Sequence, residues 1–465
     1  MLKTKPIVML CPLLLACAMA AGQVPILDGD GKTIEDLILE KAYVTIVLKD
    51  PSARDINLRI TGIFESTLNF ITLDNDPIAY KLSRIQEIRI QESRVASRRS
   101  RATEDALSDD DMIIVNRAAE RAFEIFKNSK NQEIRMSAAL VISASTHENK
   151  AGALGYLQEL AAGNDVPTSM DATTFLYLAG IPPDPNVLQE GFLSGDRHAR
   201  ATAAMLTGLI NNKTFLPEVR TMLHDPTVQL FPAAAIAIGR MNEHSGLPRL
   251  YEAMRALTDV KAEAAVFGLS QMGGKDIHEK MLEMLEVSTG MEWFLVLRVL
   301  YALDDPDAKE LMLNKALTQP AYQRIAALLL AADEVWEGTL FLRNYLKKPQ
   351  DQNLKNLSYK GRVATTLFSA GDIQQKIVLQ ELVNTRPGQI YKRGETSNEP
   401  FKRRTAAEVQ LNVLGLIADT GSKDLLSILV APLEGNDPQV AVMACTAVVA
   451  IGNPEFGDRL REMRR

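Results

Sequence analysis

The sequence predicts a mostly α protein: a solenoid of stacked helical hairpins with a small β-barrel domain ahead of it. Three observations carry this. A motif that opens on Asn, Asp or Asp-Pro and runs into closely spaced Ala residues recurs along the chain between Asn131 and Asp437. Aromatic residues make up only 6% of the sequence, while Ala and Leu are plentiful; that balance favours helices packed at close range. Residues 33–91 follow a different rule, alternating apolar and polar positions with a period of two.

The chain is longer than one ordinary core allows, at 465 residues, so several domains or a repeat array is the expected organisation. Its net charge is -6, a field that argues against non-specific nucleic-acid binding.

Lys3 and Lys5 precede an apolar run from Ile7 to Leu15, with small residues from Ala16 to Gly22. The run is shorter than the roughly 20 residues that span a bilayer and has the pattern of a secretory signal. Two processing routes fit. Ala18-Met19-Ala20 offers cleavage after Ala20, which makes 1–22 a signal segment. Leu14-Leu15-Ala16-Cys17 resembles a bacterial lipobox, which would end the signal at residue 16, lipidate Cys17 and anchor the chain to the cell envelope. Cys11 and Cys17 lie in this segment and leave Cys445 alone in the body. One thiol forms no internal disulfide, and Cys445 sits in an apolar helical run, so a buried, inert thiol is expected.

In residues 33–91, a short helix from Thr33 to Glu40 is followed by strands around Val44–Leu48, Ile56–Phe64, Leu68–Leu73, Ile78–Leu82 and Ile88–Ile90. Five short strands after one helix suggest a closed barrel, which hides strand edges. The stretches Val44-Thr45-Ile46-Val47-Leu48-Lys49-Asp50, Leu68-Asn69-Phe70-Ile71-Thr72-Leu73 and Leu82-Ser83-Arg84-Ile85-Gln86-Glu87-Ile88 resemble an Sm-like barrel. Arg59 stands where that family carries a Gly, so a generic SH3-like barrel fits equally. The Sm-like resemblance implies RNA binding, which an exported protein has little occasion for; that reading requires the signal to be misread.

Residues 92–111 read as a charged linker, with Arg94, Arg98, Arg99 and Arg101 ahead of Asp109, Asp110 and Asp111. The three Asp residues favour the start of the helix expected near Met112.

From 112 to 465 the period becomes helical. Asn131-Gln132-Glu133-Ile134-Arg135-Met136-Ser137-Ala138-Ala139 recurs as Asp196-Arg197-His198-Ala199-Arg200-Ala201-Thr202-Ala203-Ala204. Further copies open at Asp225-Pro226 and Asp437-Pro438, and weaker ones near Asp259, Ser288, Pro320 and Pro400. Second helices follow with apolar residues three to four apart, such as Leu216, Val219 and Leu223. Hairpins this short bury their faces only by stacking. The Asp-Pro-x-Val-x-x-x-Ala pattern resembles HEAT repeats, including the HEAT-like repeats associated with bilin lyases. The resemblance implies a solenoid fold and leaves function open.

Within a unit, the opening Asp caps the first helix, Arg135 and Arg200 are expected to pair with the next unit's acid, and Ala203, Ala235 and Ala447 to face a neighbouring helix. The concave surface is expected to be lined by second helices.

No catalytic residue, cofactor site or metal site emerges. Gly31-Lys32-Thr33 lacks the earlier Gly of a phosphate loop, Ile26 standing there. Asp28-Gly29-Asp30-Gly31 lacks the bidentate Glu of a calcium loop. Gly268-Leu269-Ser270-Gln271-Met272 lacks the last Gly of a nucleophile elbow. His278-Glu279 has Leu282 where a zinc helix needs its second His. The five His residues fall in separate hairpins or loops. A stretched unit between Gln350 and Phe401 carries the one candidate contact loop: Arg386, Tyr391, Lys392, Arg393, Phe401, Lys402, Arg403 and Arg404. Insertions of this kind meet partners, here an acidic protein or polyanion; a solvated insertion is the simpler reading. The sequence therefore points to an exported, non-catalytic scaffold for a protein partner, with a HEAT-like lyase as the alternative.

Overall fold

The computed structural model describes residues 107–225, 230–255, 259–349, 352–390 and 399–464, and the backbone of strand segments between residues 26 and 90. Two units partition the chain, 1–101 and 102–465.

In the first unit the strands are β1 Ile26–Leu27, β2 Tyr43–Leu48, β3 Arg54–Phe64, β4 Thr67–Ile71, β5 Pro77–Lys81 and β6 Ile85–Ile90. They pair in the order β1-β6-β2-β3-β4-β5. Only β1 and β6 run parallel. Closure into the expected barrel, the Thr33–Glu40 helix, the signal segment with Cys17, and linker residues 92–106 lie outside the described residues.

The second unit is helical throughout its described residues. It opens on α1 (Asp109–Asn128), followed by hairpins α2 (Gln132–Ala144) with α3 (Lys150–Ala161), α4 (Val166–Leu178) with α5 (Pro185–Leu193), and α6 (Arg197–Leu209) with α7 (Leu216–Leu223). Next come α8 (Leu230–Arg240) with α9 (Leu247–Arg255), α10 (Asp259–Met272) with α11 (Lys275–Val287), and α12 (Gly290–Ala302) with α13 (Pro306–Leu311). The array ends with α14 (Gln323–Ala332) and α15 (Trp336–Lys347), α16 (Leu354–Ser369) and α17 (Gln375–Val383), α18 (Glu399–Thr420) and α19 (Leu426–Leu433), then α20 (Pro438–Gly452) and α21 (Pro454–Arg464). Even-numbered helices are the first of each hairpin.

Capping starts these helices as the motif implies. Asn131 Oδ1 accepts from Ile134 N at 3.2 Å, Asp196 Oδ1 from Ala199 N at 2.8 Å and Asp437 Oδ1 from Gln439 N at 2.9 Å, each satisfying an amide that the helix leaves unpaired. Ser108 and Asp111 form a reciprocal capping box on α1. Asp109–Asp111 are thus the first turn of that helix, three residues ahead of the expected start.

Turns within eight of the ten hairpins share one device. Gly180, Asn211, Asn242, Gly273, Asp304, Glu334, Gly371 and Gly421 all have positive φ. From 180 to 334 they recur every 30 or 31 residues; the last two intervals stretch to 37 and 50. In the Asn211 turn, Asn212 N donates to Thr207 O at 3.0 Å, and in the Glu334 turn Val335 N donates to Leu330 O at 2.7 Å. This is the left-handed helix end that folds the chain back.

First helices pack on one another backbone to backbone. A β-carbon on Gly208 would lie 2.6 Å from Ala237 Cα, and one on Gly239 would lie 2.6 Å from Gly268 Cα. Ala203, Ala235 and Ala447 are fully buried as expected. The expected arginine ladder does not form. The Arg135 guanidinium instead lies over the rings of Tyr156 at 4.8 Å and Phe126 at 5.6 Å. The unit-to-unit pairs use other positions, such as Arg298 with Glu263 and Arg343 with Asp372.

The array closes on itself. One core joins Ala118, Met136 and Leu157 near its start to Val440, Cys445 and Phe456 at its end. α1 packs against α20, α2 and α19, filling the place that the second helix of the last hairpin would occupy. Arg121 donates to Gly435 O across 314 residues of sequence, and Arg117 pairs with Glu434. A β-carbon on Gly452 would lie 2.8 Å from a Val115 methyl. Asn453 lacks the positive φ of the turns from Gly180 to Gly421, with φ at -127°, and the chain bends by 119° into α21.

Candidate binding groove on the first-helix layer

α21 shows which face is interior. Phe456 and Leu460 are buried beneath it. Arg459 Nε donates to Leu178 O of α4 at 2.8 Å, and Asn453 Nδ2 to Ala144 O of α2 at 2.8 Å. Arg240 of α8 donates to Glu462 O. Arg464 donates to Gly415 O of α18 at 2.5 Å and pairs with Asp419 at 3.0 Å. One short helix reaches units on both sides of the closure, always on first helices. The inner face is therefore built of first helices, not the second helices expected from the sequence. The reason is spacing: Gly and Ala positions let first helices approach more closely, and the closer-spaced layer of a curved stack lies inside.

Every anchor of α21 sits at or near the C-terminal end of a first helix. Those ends carry unpaired carbonyls and a partial negative charge, and arginine side chains meet both. Beside this cluster, burial and the Glu462 carboxylate push the Tyr177 phenol above its ordinary range.

Further along the same layer the face is open. α8, α10, α12 and α14 line a concavity of about 540 Å³. Pro232, Ile236, Val260, Phe267, Ala302 and Leu329 give it an apolar surface, with Val260 52% exposed. Its charged groups and its tyrosine are already engaged. Arg298 holds the Glu263 carboxylate through two bonds of 2.6 and 2.8 Å. The Tyr301 hydroxyl donates to Asp333 at 2.5 Å; burial and that carboxylate push its pKa well above the ordinary phenol range. The arrangement offers shape, apolar area and fixed charge. It holds no aligned acid–base pair, and among the described residues no group of His, Cys, Asp and Glu could hold a metal ion.

Cys445 is fully buried, and burial pushes its thiol up to about 12, as an inert thiol requires. Ser270 lies on α10 and His278-Glu279 on α11, so neither imitates its catalytic motif. His147 is buried rather than exposed. Its side chain is buried against Phe123, with ring centroids 4.9 Å apart.

The candidate contact loop is only partly a loop. Lys402, Arg403 and Arg404 lie in the first turns of α18, and Arg404 pairs one turn on with Glu408 at 2.9 Å. Arg386 is exposed and its backbone N–H donates to Gln389 at 2.7 Å. Phe401 has its backbone in α18, while its side chain and residues Tyr391, Lys392 and Arg393 lie outside the described residues. The groove itself went unnoticed in the sequence; its lining residues read there as ordinary repeat positions. No protein-family model and no curated protein sequence matches this chain.

Proposed function

We propose that the chain is a HEAT-like binding scaffold that captures a protein partner on its first-helix layer and catalyses no reaction. The observation that carries this is the apolar concavity along α8, α10, α12 and α14, on the layer that already seats one helix, α21. Seating a helix there is chemistry this surface performs within its own chain. The lyase alternative needs a reactive group, and Cys445 is shut off by burial and a raised pKa. Export, with periplasmic release or anchoring through Cys17, belongs to the same proposal and rests on Lys3, Lys5 and the apolar run to Leu15.

A photo-crosslinking amino acid at Val260, in the groove, and at exposed Glu279, on a second helix, tests the reading in cells that make the protein. One discrete adduct from position 260, absent from 279 and lost in Phe267→Asp, is the expected result. Equal adducts from both positions, or none from 260, overturn it.

A further inference from the structure

We infer that the groove along α8–α14 takes a cationic, apolar-faced helix of its protein partner, a refinement that rests on the scaffold reading above. The chain's own α21 shows what seats on this layer: Phe456 and Leu460 buried inward, with Arg459 and Arg464 reaching helix C-termini. The open part of the layer repeats the acceptor side of that contact without a basic helix upon it. The turn that follows α12 carries Asp304, and the turn that follows α14 carries Asp333 and Glu334. A carboxylate at a helix C-terminus runs against the helix dipole, which favours cations there. At α18 the same arrangement, Asp419 beside the Gly415 carbonyl, is met by Arg464.

The acidic edge is continuous with the apolar floor. Tyr301 lines the groove and donates directly to Asp333. Asp304 is 87% exposed, with Lys309 as its partner at 3.1 Å. Glu263 faces the same space at 50% exposure. Two cations border the groove and both are engaged: Arg298, 16% exposed, is held by Glu263, and Arg240, over the Phe267 ring at 5.8 Å, donates to Glu462 O. A helix laid along α10 would place apolar residues on Val260, Phe267 and Leu329 and basic residues at Asp304, Asp333 and Glu334. An acidic helix there would meet like charge and helix C-termini together, which is how such a surface rejects the wrong partner.

Three matched fluorescent peptides test this against the full-length protein at physiological salt. Each carries Leu at i, i+4, i+7 and i+11 and Ala elsewhere, with Arg, Gln or Glu in the flanking positions. Saturable binding of the Arg peptide is expected, at least about tenfold weaker for the Gln peptide and absent for the Glu peptide. Val260→Lys, an exposed change that leaves the core untouched, should weaken the Arg peptide by about tenfold or more, and Asp304→Lys should weaken it measurably. Equal binding of the Arg and Gln peptides overturns the charge assignment, and Arg-peptide binding that Val260→Lys leaves unchanged overturns the location. A groove that crosslinks a partner at position 260 but rejects the Arg peptide retains the scaffold function and loses this inference.

Discussion

The two sides of the first-helix layer are made of the same parts and finished differently. At the ends of α2, α4, α8 and α18 the chain supplies its own helix, and Asn453, Arg459, Arg240 and Arg464 make the contacts. Around the open apolar groove, carboxylates follow α12 and α14, while α8 ends on Arg240, which meets α21, and α10 ends before Gly273. The repeat therefore sets the scaffold, and what lies over the ends of its first helices separates a finished surface from one that is available. The covered side is held by many contacts between residues far apart in sequence; α10, α12 and α14 on the open side pack on neighbouring hairpins.

That contrast can be broken most directly at Phe456. It is fully buried under α21, and Phe456→Ala should cost about 3–5 kcal/mol, read from urea unfolding. A loss below about 1 kcal/mol would mean that α21 is not an integral part of the covered side.

The next test compares one overpacking change on each side. Gly452→Leu crowds Val115 at the closure, and Ala235→Leu crowds Gly268 between α8 and α10; each should cost about 1–3 kcal/mol. Cys445 lies at the closure, so its labelling by an aromatic disulfide at pH 8 reports opening there once Cys11 and Cys17 are replaced by Ser. Gly452→Leu should speed labelling, while Ala235→Leu should speed hydrogen exchange mainly in α8 and α10. Fast labelling in both variants would show that closure makes the ring one cooperative unit rather than a chain of local contacts.

Smaller effects sharpen the picture. Arg464→Gln removes a partly exposed pair and a carbonyl contact, and should cost about 1 kcal/mol in the same unfolding assay. Glu334 holds φ at 59°, a backbone state that suits Gly. Glu334→Gly should therefore raise stability by about 0.5–1 kcal/mol, visible as a higher midpoint; a lower midpoint would mean that the side chain contributes more than the turn strains.

Local features were legible in the sequence because local chemistry makes them. Asn131, Asp196 and Asp437 cap where the motif puts them, and Ala203, Ala235 and Ala447 are buried. The 31-residue recurrence of Asn211, Asn242 and Gly273 is equally local and marks the hairpin turns. Lys402, Arg403 and Arg404 have the charge of a contact loop, but Pro400 marks the start of α18 and they belong to its first turns. Arg135 was given an ion pair because a repeated charge suggests one, whereas Phe126 and Tyr156 offer it two ring faces. The closure, the inner position of first helices and the groove were not legible. Each depends on curvature accumulated over many hairpins, and nothing in Val115 or Gly452 alone announces a partner across the length of the array.

Closure also sets a timetable. Arg121 leaves the ribosome 314 residues before Gly435, about 15–60 s earlier at ordinary synthesis rates. Through that interval the apolar face of α1, with Ala118, Ala122 and Ile125, has been made while its seat on α20 has not. Until α20 is made, that first helix has α2, its neighbour in sequence, to pack against.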